Sequence, residues 1–251
     1  MNGTDESTII GAAPAGTNDQ DSAARAVRDM FTSIAPRYDL LNHVLSLNID
    51  RVWWNRAAKQ FKPILVRPQV KILDLCCGTG DMTLALLRQA GNSAPKIIGA
   101  DFSHAMLERA TAKSAGTSLW WIEGDALSLP FPSGSFDLVT SAFGFRNLAN
   151  YEHGLQEILR ILKPGGECGI LDFSEPKGMR GRVYKLYFRH VLPRVGSLIS
   201  GVRGPYAYLP ASVERFPQPV EMVKRMKNSG FREATWTPYT FGIAGLHWGR
   251  K

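Results

Sequence analysis

No apolar run in the chain approaches the roughly 18 residues that cross a bilayer as a helix, so an integral membrane protein is not expected. Cysteine is scarce: of 251 residues only Cys76, Cys77 and Cys168 are cysteines, an odd count without metal-ligand spacing. No disulfide and no metal site are expected, and a reducing compartment fits. The start, MNGTDESTII, lacks the basic and apolar regions of a secretory signal, which points to a cytoplasmic protein. Acidic residues are missing from one long stretch, 177–203, which carries seven Lys or Arg among aliphatic and aromatic residues. Much of the net charge of +8 lies there. A basic amphipathic surface of this kind suits an anionic membrane face or an ordinary solvated helix.

What is present is the composition of a globular domain, with 44% hydrophobic and 21% charged residues. The length favours a single large α/β domain. Residues 1–22, rich in small polar residues without periodicity, read as a disordered tail, and 23–251 as the domain. Within it, 23–68 reads as a helical cap containing Tyr38, Asp39, Asp50 and the Trp53–Trp54 pair, and 177–215 as a basic amphipathic insertion. Between them, strand and helix patterns alternate. Strands are expected at 71–75, 96–101, 119–123, 136–141 and 168–173, the last after a Lys163–Gly166 turn, and a closing hairpin near 235–239 and 244–248. Parallel strands need crossover helices, so the pattern implies a doubly wound, mostly parallel sheet of seven strands with helices on both faces.

The stretch KILDLCCGTGD, residues 71–81, is a buried strand carrying Asp74 that breaks into the turn Gly78-Thr79-Gly80 and then a helix. Glycines beyond the carboxyl end of such a strand admit a ligand close to the backbone. A pyrophosphate is disfavoured, because the third glycine of a dinucleotide fingerprint is replaced by Thr83 and Asp81 puts a negative charge at the helix start. The lysine of a P-loop is missing as well. S-adenosylmethionine, which has no phosphate and carries a sulfonium and an ammonium, welcomes carboxylates instead. Asp101 follows Gly80 by 21 residues, the region where an acid meets ribose hydroxyls, with Phe102 beside it. Asp125 and Ala126, after the third strand, suit the adenine, and Asp74 and Asp81 the methionine ammonium. Asp81 and Asp125 can equally be a helix-start charge and a turn residue.

The segments DLCCGTGD, GADFSHAML, GDALSLPFPSGSFDLV, FGFRNL and RILKPGGECGILDFSEP, in this order, resemble the ubiquinone and menaquinone biosynthesis C-methyltransferases, a class I S-adenosylmethionine-dependent family with a Rossmann-like fold. The likeness extends from Met30 to Lys251, through YDLLN at 38–42 and Tyr208-Leu209. Asp172 stands where the family usually has Glu, and Ala142 where a serine often meets the cofactor. The resemblance implies cofactor contacts at Thr79, Asp101, Asp125, Ala126 and Ala142. It further implies methylation of a ring carbon of a reduced polyprenyl quinone, demethylmenaquinol foremost. Arg146 is then the cation that favours the phenolate, with Asn147 and Tyr38 orienting ring or water; the alternative for Arg146 is an ion pair with a carboxylate of the cap. Peripheral contact of the basic segment with an anionic membrane follows from a bilayer-soluble substrate. No nucleic-acid partner is expected, self-association stays open, and the rival functions are methylation of another small molecule or of RNA.

Overall fold

A computed structural model describes residues 9–39, 46, 48–176 and 204–251. The strands are β1 (Lys71–Leu75), β2 (Lys96–Asp101), β3 (Trp120–Glu123), β4 (Phe136–Ala142), β5 (Leu162–Phe173), β6 (Glu233–Tyr239) and β7 (Ala244–Arg250). They form one sheet in the order β3-β2-β1-β4-β5-β7-β6. β1 to β5 pair in parallel, and β7 runs antiparallel to both β5 and β6. The helices are α1 (Gln20–Ile34), α2 (Ile49–Gln60), α3 (Lys62–Leu65), α4 (Asp81–Ala90), α5 (His104–Lys113), α6 (Tyr151–Ile161), α7 (Gly204–Arg215) and α8 (Pro219–Ser229).

Apolar residues alternate across the sheet and feed two cores. Leu73, Leu75, Val139 and Ile170 pack with α6 and α8 on one side, and Ile72, Ile97 and Leu138 with α2 and α4 on the other. The strand order reverses beside β1, whose neighbours are β2 and β4. That switch point opens a crevice at the carboxyl ends of both strands.

Three expectations change. The tail expected to be disordered through residue 22 is ordered in part. Gly11 and Ala12 donate main-chain hydrogen bonds to the carbonyls of Ala149 (2.9 Å) and Leu148 (2.7 Å). A side chain at Gly11 would overlap Leu148, so the glycine is what lets this segment dock. α1 then starts at Gln20 on a capping box in which Asp19 accepts from the main chain of Ser22, and Ser22 accepts in return. Second, β5 runs through the Lys163–Gly166 turn instead of starting after it: from Phe136 to Leu138 of β4, its partners skip from Leu162 to Glu167. The intervening residues bulge, with Gly165 at φ +75°. Third, Ser103 holds the N-cap position of α5 without capping it, its hydroxyl lying 3.0 Å from that of Thr32. The basic segment 177–203, with Leu40–Leu45 and Leu47 of the cap, lies outside the described residues.

Candidate active site

The crevice widens into a cavity of about 290 Å³. It brings together Tyr38, Asp74, Gly78, Thr79, Asp101, Phe102, Asp125, Ala126, Ala142, Arg146 and Asn147. Gly80, expected at the ligand, does not line it. Its backbone sits at φ +86° and its missing side chain would fall 2.6 Å from the Trp121 ring, so this glycine serves the turn and the packing behind it.

One end of the cavity is acidic. Asp74 points to the α4 side of the sheet and is fully buried, accepting from the hydroxyls of Thr83 (2.6 Å) and Thr140 (2.8 Å). Burial pushes its pKa up to about 6, against the pull of those hydroxyls. Thr83 was read from sequence only as a missing glycine; it tethers Asp74. Asp101 accepts from the main-chain N–H groups of Gly78 (2.8 Å) and Ser103 (2.9 Å), and burial raises it too to about 6. The Gly78 bond folds the turn toward β2. Asp125 closes its own turn by accepting from the Leu127 N–H at 2.9 Å, so its turn reading holds while it also faces the cavity.

The other end is aromatic. Trp53 of α2, Phe143 and Phe173 form a wall, with ring centroids 5.8 Å apart for Trp53–Phe143 and 4.6 Å for Phe143–Phe173. The Trp53 indole N–H donates to Thr240 at 2.7 Å, fixing the ring against the turn before β7. Sequence periodicity marked Trp53 as cap or core. Phe143 and Phe173 carried no signal beyond hydrophobicity, because only the fold brings the ends of β4 and β5 under α2.

Arg146 lies below this wall, its guanidinium carbon 5.3 Å from the Phe173 ring centre. It pairs with Asp172 at 3.0 Å, and Asp172 also accepts from the main-chain N–H groups of Arg146 (3.1 Å) and Phe173 (2.9 Å). The same guanidinium donates to the Phe143 carbonyl, and its Nε is buried without a partner. The carboxylate anticipated as an alternative partner therefore exists, on β5 and not on the cap. Burial raises the pKa of Asp172 in spite of Arg146 beside it. Asn147 lines the cavity, and its amide oxygen accepts from the Tyr208 hydroxyl of α7 at 3.2 Å. The Tyr38 ring lies over the turn, 3.8 Å from where a Gly78 side chain would be.

S-adenosylmethionine fits the acidic end: buried carboxylates on β1 and β2 and an exposed one, Asp125, just after β3, a glycine turn with space beside it, and no phosphate-binding lysine or glycine fingerprint. Among the described residues there is no cluster of side chains that could hold a metal, and no helix is long and apolar enough to cross a membrane.

The sequence profile of the ubiE/COQ5 methyltransferase family matches residues 17–251. A demethylmenaquinone methyltransferase from Deinococcus radiodurans is 47% identical over 236 residues, covering 93% of this chain and 95% of that protein. Another from Thermus thermophilus is 47% identical over 225 residues, covering 88% of this chain and all of that protein. The fold is shared with a SAM-dependent methyltransferase from Thermotoga maritima, with a TM-score of 0.60, 19% identity and coverage of 89% of this chain and 99% of the other. The chain belongs to the ubiE/COQ5 methyltransferase family, with S-adenosylmethionine as its cofactor.

Proposed function

We propose that the protein methylates a ring carbon of a reduced polyprenyl quinone, demethylmenaquinol foremost. The observation that carries this is the pairing of an acidic pocket with an aromatic slot that ends on Arg146 and Asn147. S-adenosylmethionine, when bound, supplies an already activated methyl group on its sulfonium. The chain's own task is to orient the acceptor ring, exclude water and favour loss of the hydroxyl proton. Trp53, Phe143 and Phe173 offer flat apolar faces to a ring. The Arg146 guanidinium acts through charge and hydrogen bonding, not as a base. Asp172 offsets part of that charge and fixes the guanidinium, while the Asn147 amide donates to a ring oxygen and Tyr38 closes the turn side. We assign the Asp101 carboxylate to the ribose hydroxyls, the Asp125–Ala126 turn to the adenine, and Asp74 and Asp81 to the side of the methionine ammonium.

The test is a split between binding and turnover. Replacing Arg146→Met together with Asp172→Asn removes both charges, so no unpaired ion stays buried. This double variant is expected to keep cofactor affinity within about threefold and to lose about a hundredfold in turnover, the scale of one electrostatic contact to a developing oxyanion. Wild-type turnover would end the assignment. Because the prenyl chain belongs in a bilayer, the seven basic residues of 177–203 support peripheral contact with anionic lipid. Cosedimentation with anionic vesicles that survives reversal of three of these charges would remove that reading.

A further inference from the structure

Lys113, the last residue of α5, lies outside every motif singled out in the sequence, yet it touches the cofactor turn. Its ammonium donates to the Thr79 hydroxyl at 2.9 Å and pairs with Asp39 at 2.9 Å and Asp81 at 3.1 Å. These charges are three-quarters or so buried, at 25%, 27% and 22% exposure, which shields them more than an open surface pair. Thr79 completes the cluster by donating its one proton to Asp39 at 2.5 Å. A hydroxyl has one proton and two lone pairs, so here its proton and one lone pair are already used by Asp39 and Lys113. The Thr79 side chain is thus held by the cap and by α5, and what it offers a ligand is its remaining lone pair and its main chain.

The three elements joined here are distant in sequence. Asp39 follows Tyr38, whose ring covers Gly78; Thr79 and Asp81 belong to the turn and the first residue of α4; Lys113 closes α5. The same face of α5 holds the cap at two further points. Met106 packs with Ile34 and Ala35, and Arg109 donates to the Pro36 carbonyl at 2.8 Å. Residues 106, 109 and 113 recur at helical spacing, so one face of one helix carries all three attachments.

We propose that Lys113 is a positioning residue for cofactor binding: its ammonium clamps Asp39 of the cap to Thr79 and Asp81 of the glycine turn, and so sets the wall of the cofactor pocket formed by Tyr38 and Gly78. Lys113 itself stays outside the cavity and touches neither cofactor nor acceptor.

Calorimetric titration with S-adenosylhomocysteine and S-adenosylmethionine, together with steady-state kinetics, tests this. Lys113→Met is expected to weaken both ligands about tenfold, or about 1.4 kcal/mol, and to raise the KM for the cofactor while leaving kcat at saturation within about twofold. Asp39→Asn is expected to weaken binding to a similar degree. The double variant should be no weaker than the worse single one, since both remove the same clamp. Lys113→Arg should recover most of the affinity, because a cation is again within reach of both carboxylates. Unchanged or tighter binding by Lys113→Met, effects that add in the double variant, or no recovery with Arg would overturn the clamp. Should Lys113→Met fail to fold, Asp39→Asn tests the same contact from the other side. The proposal rests on the cofactor assignment: an unmutated protein that does not bind S-adenosylhomocysteine would overturn both, whereas normal binding by Lys113→Met overturns the clamp alone.

Discussion

Removing Asp172 strikes the most demanding group in the site. Its carboxylate is fully buried and serves three donors: the Arg146 guanidinium and the main-chain N–H groups of Arg146 and Phe173. In Asp172→Ala the guanidinium, whose side chain is 6% exposed, keeps the Phe143 carbonyl but loses its counter-ion. Breaking a buried pair from one side costs about 3–5 kcal/mol, and two main-chain donors lose their partner as well. Against a total stability of about 5–15 kcal/mol, a drop in melting temperature of about 10 °C or more is expected. Removing both charges, in Arg146→Met with Asp172→Asn, should restore much of this, because a buried pair exchanged for neutral groups is often close to neutral in energy. Thermal unfolding of the wild type, the single variant and the double variant measures both effects. A single variant within about 2 °C of wild type, or a double variant no better than the single, would refute a load-carrying ion pair at this position.

Cofactor affinity should depend on pH through Asp74 and Asp101, both raised to about 6 by burial. Their ionised forms favour a cationic ligand, so affinity is expected to hold above that value and to weaken as pH falls through it, approaching tenfold per unit for each proton taken up. In the cofactor-free protein the sign reverses: the stability these raised groups contribute is present at low pH and lost as pH rises through about 6. Flat affinity between pH 8 and 5 would contradict the ionised-pair picture. Gly144→Ala should be destabilising by about 1–3 kcal/mol, since the new methyl would meet the Cys76 side chain 2.3 Å away. Adding Cys76→Gly removes the nearer of two close contacts, leaving the residue-76 carbonyl oxygen at 2.9 Å, and relieves a cysteine held at φ +53°, so the pair should be more stable than Gly144→Ala alone by urea unfolding.

Much of the fold was legible because its signals are local. Alternating strand and helix patterns, the Gly78–Gly80 turn and the spacing to Asp101 and Asp125 each depend on a few neighbouring residues. The first turn of α1 was legible too, in the Asp19–Ser22 spacing, but the surrounding Gly and Thr residues masked it. Other features depend on contacts between distant segments. Gly11 docking on Ala149 and Lys113 reaching Asp39 join residues that no window compares, and Thr83 meets Asp74, nine residues back, only because the turn between them folds α4 over β1. Gly80 shows the converse limit, since a glycine motif states a backbone need without saying which of its glycines lines the cavity. The Arg146 partner fell between two segments read separately, FGFRN and the end of β5, and only their parallel pairing brings Asp172 beneath the guanidinium.

The proposed activity is tested most directly by following a labelled methyl group from S-adenosylmethionine into demethylmenaquinol in vesicles, with total RNA as the competing acceptor. Label on the quinol ring carbon, lost when Arg146 and Asp172 are replaced together, is the predicted result. Cofactor binding without label in the quinol, or label in RNA instead, would contradict the account.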